Sequence, residues 1–84
     1  MVKVLFFAKA REITKLSESE LNLKSPNLKI QQIYQALETQ WPEIKQLKRS
    51  FALALNEEYL ENTDAVINFQ TNDILAVIPP ISGG

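Results

Sequence analysis

Two segments of this sequence are apolar on both of their faces, and they stand near its opposite ends. In residues 2–8, Val2, Val4 and Phe6 fall on one side of an extended chain and Leu5 and Phe7 on the other, because strand side chains alternate with a period of two. Ile74-Leu75-Ala76-Val77-Ile78 is a second segment of this kind. A strand that meets water on one side shows apolar–polar alternation, so a strand apolar on both faces is expected at the centre of a sheet. The two segments are therefore expected side by side at the sheet centre.

Between them the periodicity changes twice. Residues 9–15 are polar and read as a short helical turn or loop. In residues 18–24, Leu21 and Leu23 alternate with Glu20, Asn22 and Lys24, the pattern of a half-exposed strand, which Pro26-Asn27 breaks. Over residues 30–40 the apolar positions move to helical spacing: Ile30, Ile33, Tyr34, Leu37 and Trp41 share a face, and Gln31, Gln32, Gln35 and Glu38 take the other. No strong capping residue marks the start, and Pro42 ends the helix. Residues 43–50 suit a second short helical piece with Ile44 and Leu47 inward. Residues 51–55 form a strand with Phe51, Leu53 and Leu55 on one face; Asn56-Glu57 is a hairpin turn, and Tyr59-Leu60 pairs back. Residues 65–69 suit a short strand or helical turn, and Asn72-Asp73 turns the chain into the last strand. Two strands, a helix, and two or three strands with the chain-end strands adjacent define an α+β fold, the ubiquitin-like β-grasp. It has a mixed sheet of four or five strands, with one main helix across one face. The domain is expected over residues 1–78, with residues 79–84 as a flexible, extended C-terminal tail.

The composition removes most kinds of chemistry. At 84 residues the chain holds one small domain, and its 45% hydrophobic content is that of a globular protein. A net charge of -1 lacks the basic surplus that phosphate neutralisation demands, so no nucleic-acid partner is expected. Cysteine and histidine are both absent. That excludes thiolate nucleophiles, Ser-His triads and the commonest zinc ligands, so neither a metal site nor a self-sufficient enzyme is expected. No apolar run exceeds five residues, the length of residues 74–78, far short of the ~20 residues of a membrane span, which leaves no membrane role and a cytoplasmic location as the expectation. The carboxylates Glu18, Glu20, Glu57, Glu58, Glu61, Asp64 and Asp73 are scattered over polar turns and outward strand positions, where solvation explains them. Lys45, Lys48 and Arg49 read as the solvent side of a short helix, and Phe6 and Phe7 fit either core packing or one in the core and one at an interface.

Glycine points to the remaining candidate. Ordinary usage of about 7% would place roughly six in this length. There are two, Gly83 and Gly84, at the end of the sequence. They follow Pro79-Pro80-Ile81-Ser82. The prolines donate no N–H, so they stop the strand ladder, and they keep the chain extended, lowering the entropy cost of docking it. Six extended residues reach roughly 20 Å, enough to carry a terminal carboxylate deep into another protein. Ile81 supplies an apolar anchor, and the glycines fit a channel too narrow for any side chain.

The run Ala76-Val77-Ile78-Pro79-Pro80-Ile81-Ser82-Gly83-Gly84 resembles the C-terminal signature of the small subunits of molybdopterin synthase. The resemblance extends to Val4-Leu5-Phe6-Phe7-Ala8-Lys9-Ala10-Arg11-Glu12 and to Ala54-Leu55-Asn56-Glu57-Glu58-Tyr59. It implies a sulfur carrier of molybdenum cofactor biosynthesis that binds no cofactor itself. A ubiquitin-activating-type enzyme would use ATP to adenylate the carboxylate of Gly84, which then becomes a thiocarboxylate. Inserted into a large subunit, within a heterotetramer of two copies of each, Gly84 would donate sulfur to cyclic pyranopterin monophosphate to build the dithiolene. Pro79, Pro80, Ile81, Ser82 and Gly83 would form the partner-binding tail. Asn72-Asp73 departs from the usual Gly-Asp of that family, but asparagine also accepts the left-handed conformation. A thiazole-pathway sulfur carrier and a ubiquitin-related modifier joined to lysines share the fold and the glycine terminus, and remain the alternatives.

Overall fold

The computed structural model describes residues 1–61 and 64–80. Its elements run β1 (Val2–Phe6), α1 (Ala8–Thr14), β2 (Glu18–Leu21), β3 (Asn27–Lys29), α2 (Ile30–Gln40), a 3₁₀ helix (Pro42–Leu47), β4 (Ala52–Leu55), β5 (Glu58–Tyr59), β6 (Val66–Asn68) and β7 (Ile74–Ile78). Five strands form one mixed sheet in the order β2-β1-β7-β4-β5. The two doubly apolar strands are neighbours and run parallel, Lys3 opposite Ile74 and Phe6 opposite Val77. β2, β4 and β5 extend the sheet on either side in antiparallel pairing.

One face of this sheet carries the core. Val2, Val4 and Phe6 of β1, Leu75 and Val77 of β7, and Leu53 of β4 are buried against Ile30, Ile33 and Leu37 of α2, with Trp41 and Ile44 closing the end. Phe6 meets Trp41 edge-on at 4.9 Å between ring centres, a geometry favoured by the ring quadrupoles. The helix occupies the residues that its spacing predicts. Its weak start is helped by Gln32, whose Oε1 accepts the Lys29 N–H at 2.8 Å. This is one half of a capping box, since a lysine side chain has no acceptor for the other half. After Gln40 the chain turns at Trp41, and Pro42 opens the 3₁₀ helix, a position where its missing N–H costs nothing.

Two features differ from the sequence expectation. β3 and β6 pair as a separate two-stranded sheet, with Leu28 opposite Ile67; three-residue strands are too short to show a period. Ala54, on the opposite side of β4 from Leu53, is buried as well, because its small side chain lies opposite Tyr59 of β5 and Ala76 of β7.

No glycine serves the turns of the described residues. Ala8, Lys15, Lys48, Arg49, Asn56, Glu57 and Asn72 take positive φ instead. Side-chain bonds hold two of them, Asn56 and Arg49. Asn56 and Glu57, at φ 50° and 72°, make the β4–β5 turn, both left-handed as a type I′ hairpin requires. The Asn56 side chain then spans to the entry of β7: its Nδ2 donates to Asp73 Oδ1 at 2.9 Å, and its Oδ1 accepts the Ile74 N–H at 2.9 Å. Asp73 Oδ2 accepts the Gln70 N–H at 2.7 Å. The Arg49 guanidinium donates to both Glu38 oxygens at 3.0 and 3.3 Å and to Gln31 Oε1 at 2.9 Å, and it lies over the Tyr34 ring.

Two outcomes follow from these contacts. Leu37→Ala removes a fully buried side chain from the helix–sheet interface and should lower the unfolding free energy by roughly 2–5 kcal/mol in urea titrations. The Gln70 N–H and, after it, the Asn56 amide hold the Asp73 carboxyl below its ordinary pKa, against a smaller opposing effect of burial. A depressed carboxyl contributes stability that is complete above the unfolded-state pKa of about 3.9 and is lost as pH falls through the lower folded value. Unfolding measured from neutral pH downward should therefore show the parent losing more stability below about pH 4 than Asp73→Asn, whose side chain does not titrate.

Candidate functional site

The β1–β7 pairing fixes where the tail leaves the fold. Because the two strands are parallel, the end of β7 lies beside the end of β1, and the Phe7 N–H donates to the Val77 carbonyl at 3.1 Å. Pro79 is still buried, and Pro80 is exposed. Ile81, Ser82, Gly83 and Gly84, the rest of the expected tail, lie outside the described residues. The root of the tail is thus anchored in the sheet's central strand, flanked by β1 and β4.

The sheet face turned away from α2 is apolar and open. The register places Leu5 and Phe7, Ile74, Ala76 and Ile78, Ala52 and Tyr59 on that side. Phe7 is 43% exposed, Ile74 38% and Tyr59 67%, in contrast to 1% for Phe6. Neighbouring phenylalanines thus divide between core and surface, as strand alternation demands. Lys3 and Glu18, paired at 3.0 Å, sit with Glu20 on the β2 side of this face. Large apolar side chains exposed on one sheet face, with Phe7 next to the end of β7, have the character of a docking surface. The tyrosine and the β7 positions were identifiable in the sequence only as members of apolar strands. Which of their faces stays open depends on α2 crossing the other one.

The remaining candidates form no centre. Glu57, Glu58, Glu61 and Asp64 are exposed, and no group of three or more metal-ligating side chains occurs among the described residues. In the basic trio, Arg49 is committed to Glu38, Gln31 and Tyr34, while Lys45 and Lys48 are exposed. The Glu38 bond raises the Arg49 pKa further. No helix among the described residues is long and apolar enough to cross a membrane.

Residues 4–84 match the model of the ThiS family. The chain is 36% identical to the molybdopterin synthase sulfur carrier subunit of Homo sapiens, over 99% of this chain and 93% of the human one. It is 42% identical to the protein of the same description in Arabidopsis thaliana, over 99% and 82%. Its fold superposes with a TM-score of 0.65 and 20% identity on a chain of the complex of subunits 1 and 2 of the molybdopterin-converting factor from Helicobacter pylori, covering 99% of this chain and 97% of that one.

The split between the phenylalanines is measurable. Phe6→Ala should cost roughly 3–5 kcal/mol of unfolding free energy and Phe7→Ala less than about 1 kcal/mol, compared in the same denaturant titration.

Proposed function

We propose, since the chain belongs to the ThiS family, that it is the sulfur carrier of molybdenum cofactor synthesis, the small subunit of a molybdopterin synthase. Similarity along nearly the whole chain to sulfur carrier subunits from an animal and a plant supports this. The structural observation that carries the mechanism is the placement of the tail root at the end of β7, next to an open apolar sheet face. The chemistry resides on the carboxylate of Gly84. A carboxylate is a poor electrophile; joined to the adenylyl group of ATP by an activating enzyme, with pyrophosphate leaving, it becomes an acyl-adenylate from which a sulfur nucleophile displaces AMP. The thiocarboxylate so formed donates its sulfur to cyclic pyranopterin monophosphate inside the large subunit, within an assembly of two copies of each chain. No general base is required of the carrier, since the activating enzyme and the large subunit supply the catalytic groups.

In this reading the fold provides grip and the tail provides reach. The face built from Leu5, Phe7, Ala76, Ile78 and Tyr59 docks in turn on the activating enzyme and on the large subunit, and Pro79-Pro80 directs Ile81, Ser82, Gly83 and Gly84 away from it into the partner's channel. Glycine at position 83 leaves no side chain beside the reacting carbonyl.

The test is intact mass and sulfur transfer on matched samples. Protein isolated with its activating enzyme should include a form heavier by the difference between sulfur and oxygen, localised to the final peptide. Gly83→Val should melt within about 2 °C of the parent, since every core side chain named above precedes it, and should lose most of its transfer to the pterin precursor, because a β-branched residue fills a channel sized for glycine. Full transfer by Gly83→Val, or a ladder of lysine conjugates with no heavier terminal peptide, would overturn the sulfur-carrier assignment in favour of a protein modifier.

A further inference from the structure

The five-stranded sheet has two edges, and one of them is closed by a single side chain. β2 is an edge strand, and its pairing with β1 is known residue by residue: Leu5 faces Glu18, Lys3 faces Glu20, and Val2 faces Leu21. The Phe6 N–H donates to the Ser17 carbonyl, so the peptide groups of Ser17, Ser19 and Leu21 turn toward β1. Those of Glu18, Glu20 and Asn22 turn outward. An outward row of free N–H and C=O groups is a template for another strand.

Gln40, the last residue of α2, reaches this row. Its Nε2 donates to the Glu20 carbonyl at 2.7 Å, and its Oε1 accepts the Asn22 N–H at 3.1 Å. A carbonyl and an N–H two residues apart are the pair that one residue of an added parallel strand would engage. The primary amide of Gln40 has the donor and acceptor of a peptide group and takes that residue's place. The opposite edge, β5, is two residues long and includes Glu58, a short charged edge that offers little to pair with.

We propose that Gln40 is an edge guard: its side-chain amide substitutes for a neighbouring strand on β2 and keeps a second copy of this chain from pairing there. Glu20 adds to the guard. In a two-fold β2–β2 pairing the Glu18 and Glu20 carboxylates of both copies crowd onto one sheet face, and Glu18 already has Lys3 as its partner while Glu20 has no ion pair among the described residues. Like charges facing across strands oppose pairing. The proposal concerns the fold's own edge and stands whether or not the terminus carries sulfur.

The experiment compares the whole chain as parent, Gln40→Ala, Glu20→Thr and the double variant. Sedimentation measures self-association, and amide hydrogen exchange locates it. The Asn22 amide should exchange at least tenfold faster in Gln40→Ala than in the parent. The double variant should self-associate at least tenfold more tightly than Glu20→Thr alone, with new protection at the Glu18 and Glu20 amides in the associated form. Melting curves verify that each variant is folded, which the exposure of both side chains favours. Three results would overturn the proposal: association of the double variant no tighter than that of Glu20→Thr, association that leaves the Glu18 and Glu20 amides unprotected, or unchanged exchange at Asn22.

Discussion

The parallel pairing of β1 with β7 is the constraint on which the rest of the molecule depends. It joins the first and last strands of the described fold, so the intervening chain is spent covering one side of that pair. Both strands lie inside the sheet, with β2 beyond one and β4 beyond the other. The core side chains of α2 then have a single surface to bury against. The opposite surface, lined by alternate residues of the same strands, stays open. One pairing thus produces a core, an apolar exposed face and a fixed exit for the tail.

Two of the turns around this centre are held by side-chain bonds rather than by glycine. A non-glycine residue at positive φ is disfavoured on its own. Here two of these positions make specific side-chain bonds. Asn56, left-handed itself, ties its hairpin to Asp73 and Ile74; Arg49, also left-handed, is fastened to Glu38 and Gln31 on α2. Both ends of β4 are consequently linked to other elements, β7's entry at one and the helix at the other. This helps explain how so small a core keeps a defined sheet in a chain without cysteine.

The main elements were legible in the sequence because their signals are strong and local. Two doubly apolar runs, one helical stripe from Ile30 to Trp41 and a proline to end it leave few other arrangements, and the Asn56-Glu57 and Asn72 turns announce themselves by residue type. What could not be read is relational. Leu28 and Ile67 gain their strand character only from each other, across 39 positions. Asn56 and Asp73 read as ordinary turn residues until the fold brings them within 2.9 Å. Gln40 was one more polar residue at a helix end, and its bonds to Glu20 and Asn22 follow from the angle at which α2 crosses the sheet. For the candidate site, composition and the terminal glycines indicated the tail, while the face from which it emerges required the register.

The direction of β7 has a mechanical consequence. A partner that grips the tail applies force along the axis of a strand hydrogen-bonded on both sides, to β1 and to β4. Because β1 runs parallel to β7, the first residues of the chain lie at the end remote from the pull. Tension between the two ends therefore loads the β1–β7 bonds together in shear, with no edge from which they peel one at a time. On the proposed reading, a tail drawn out of a partner would load the sheet where it resists most.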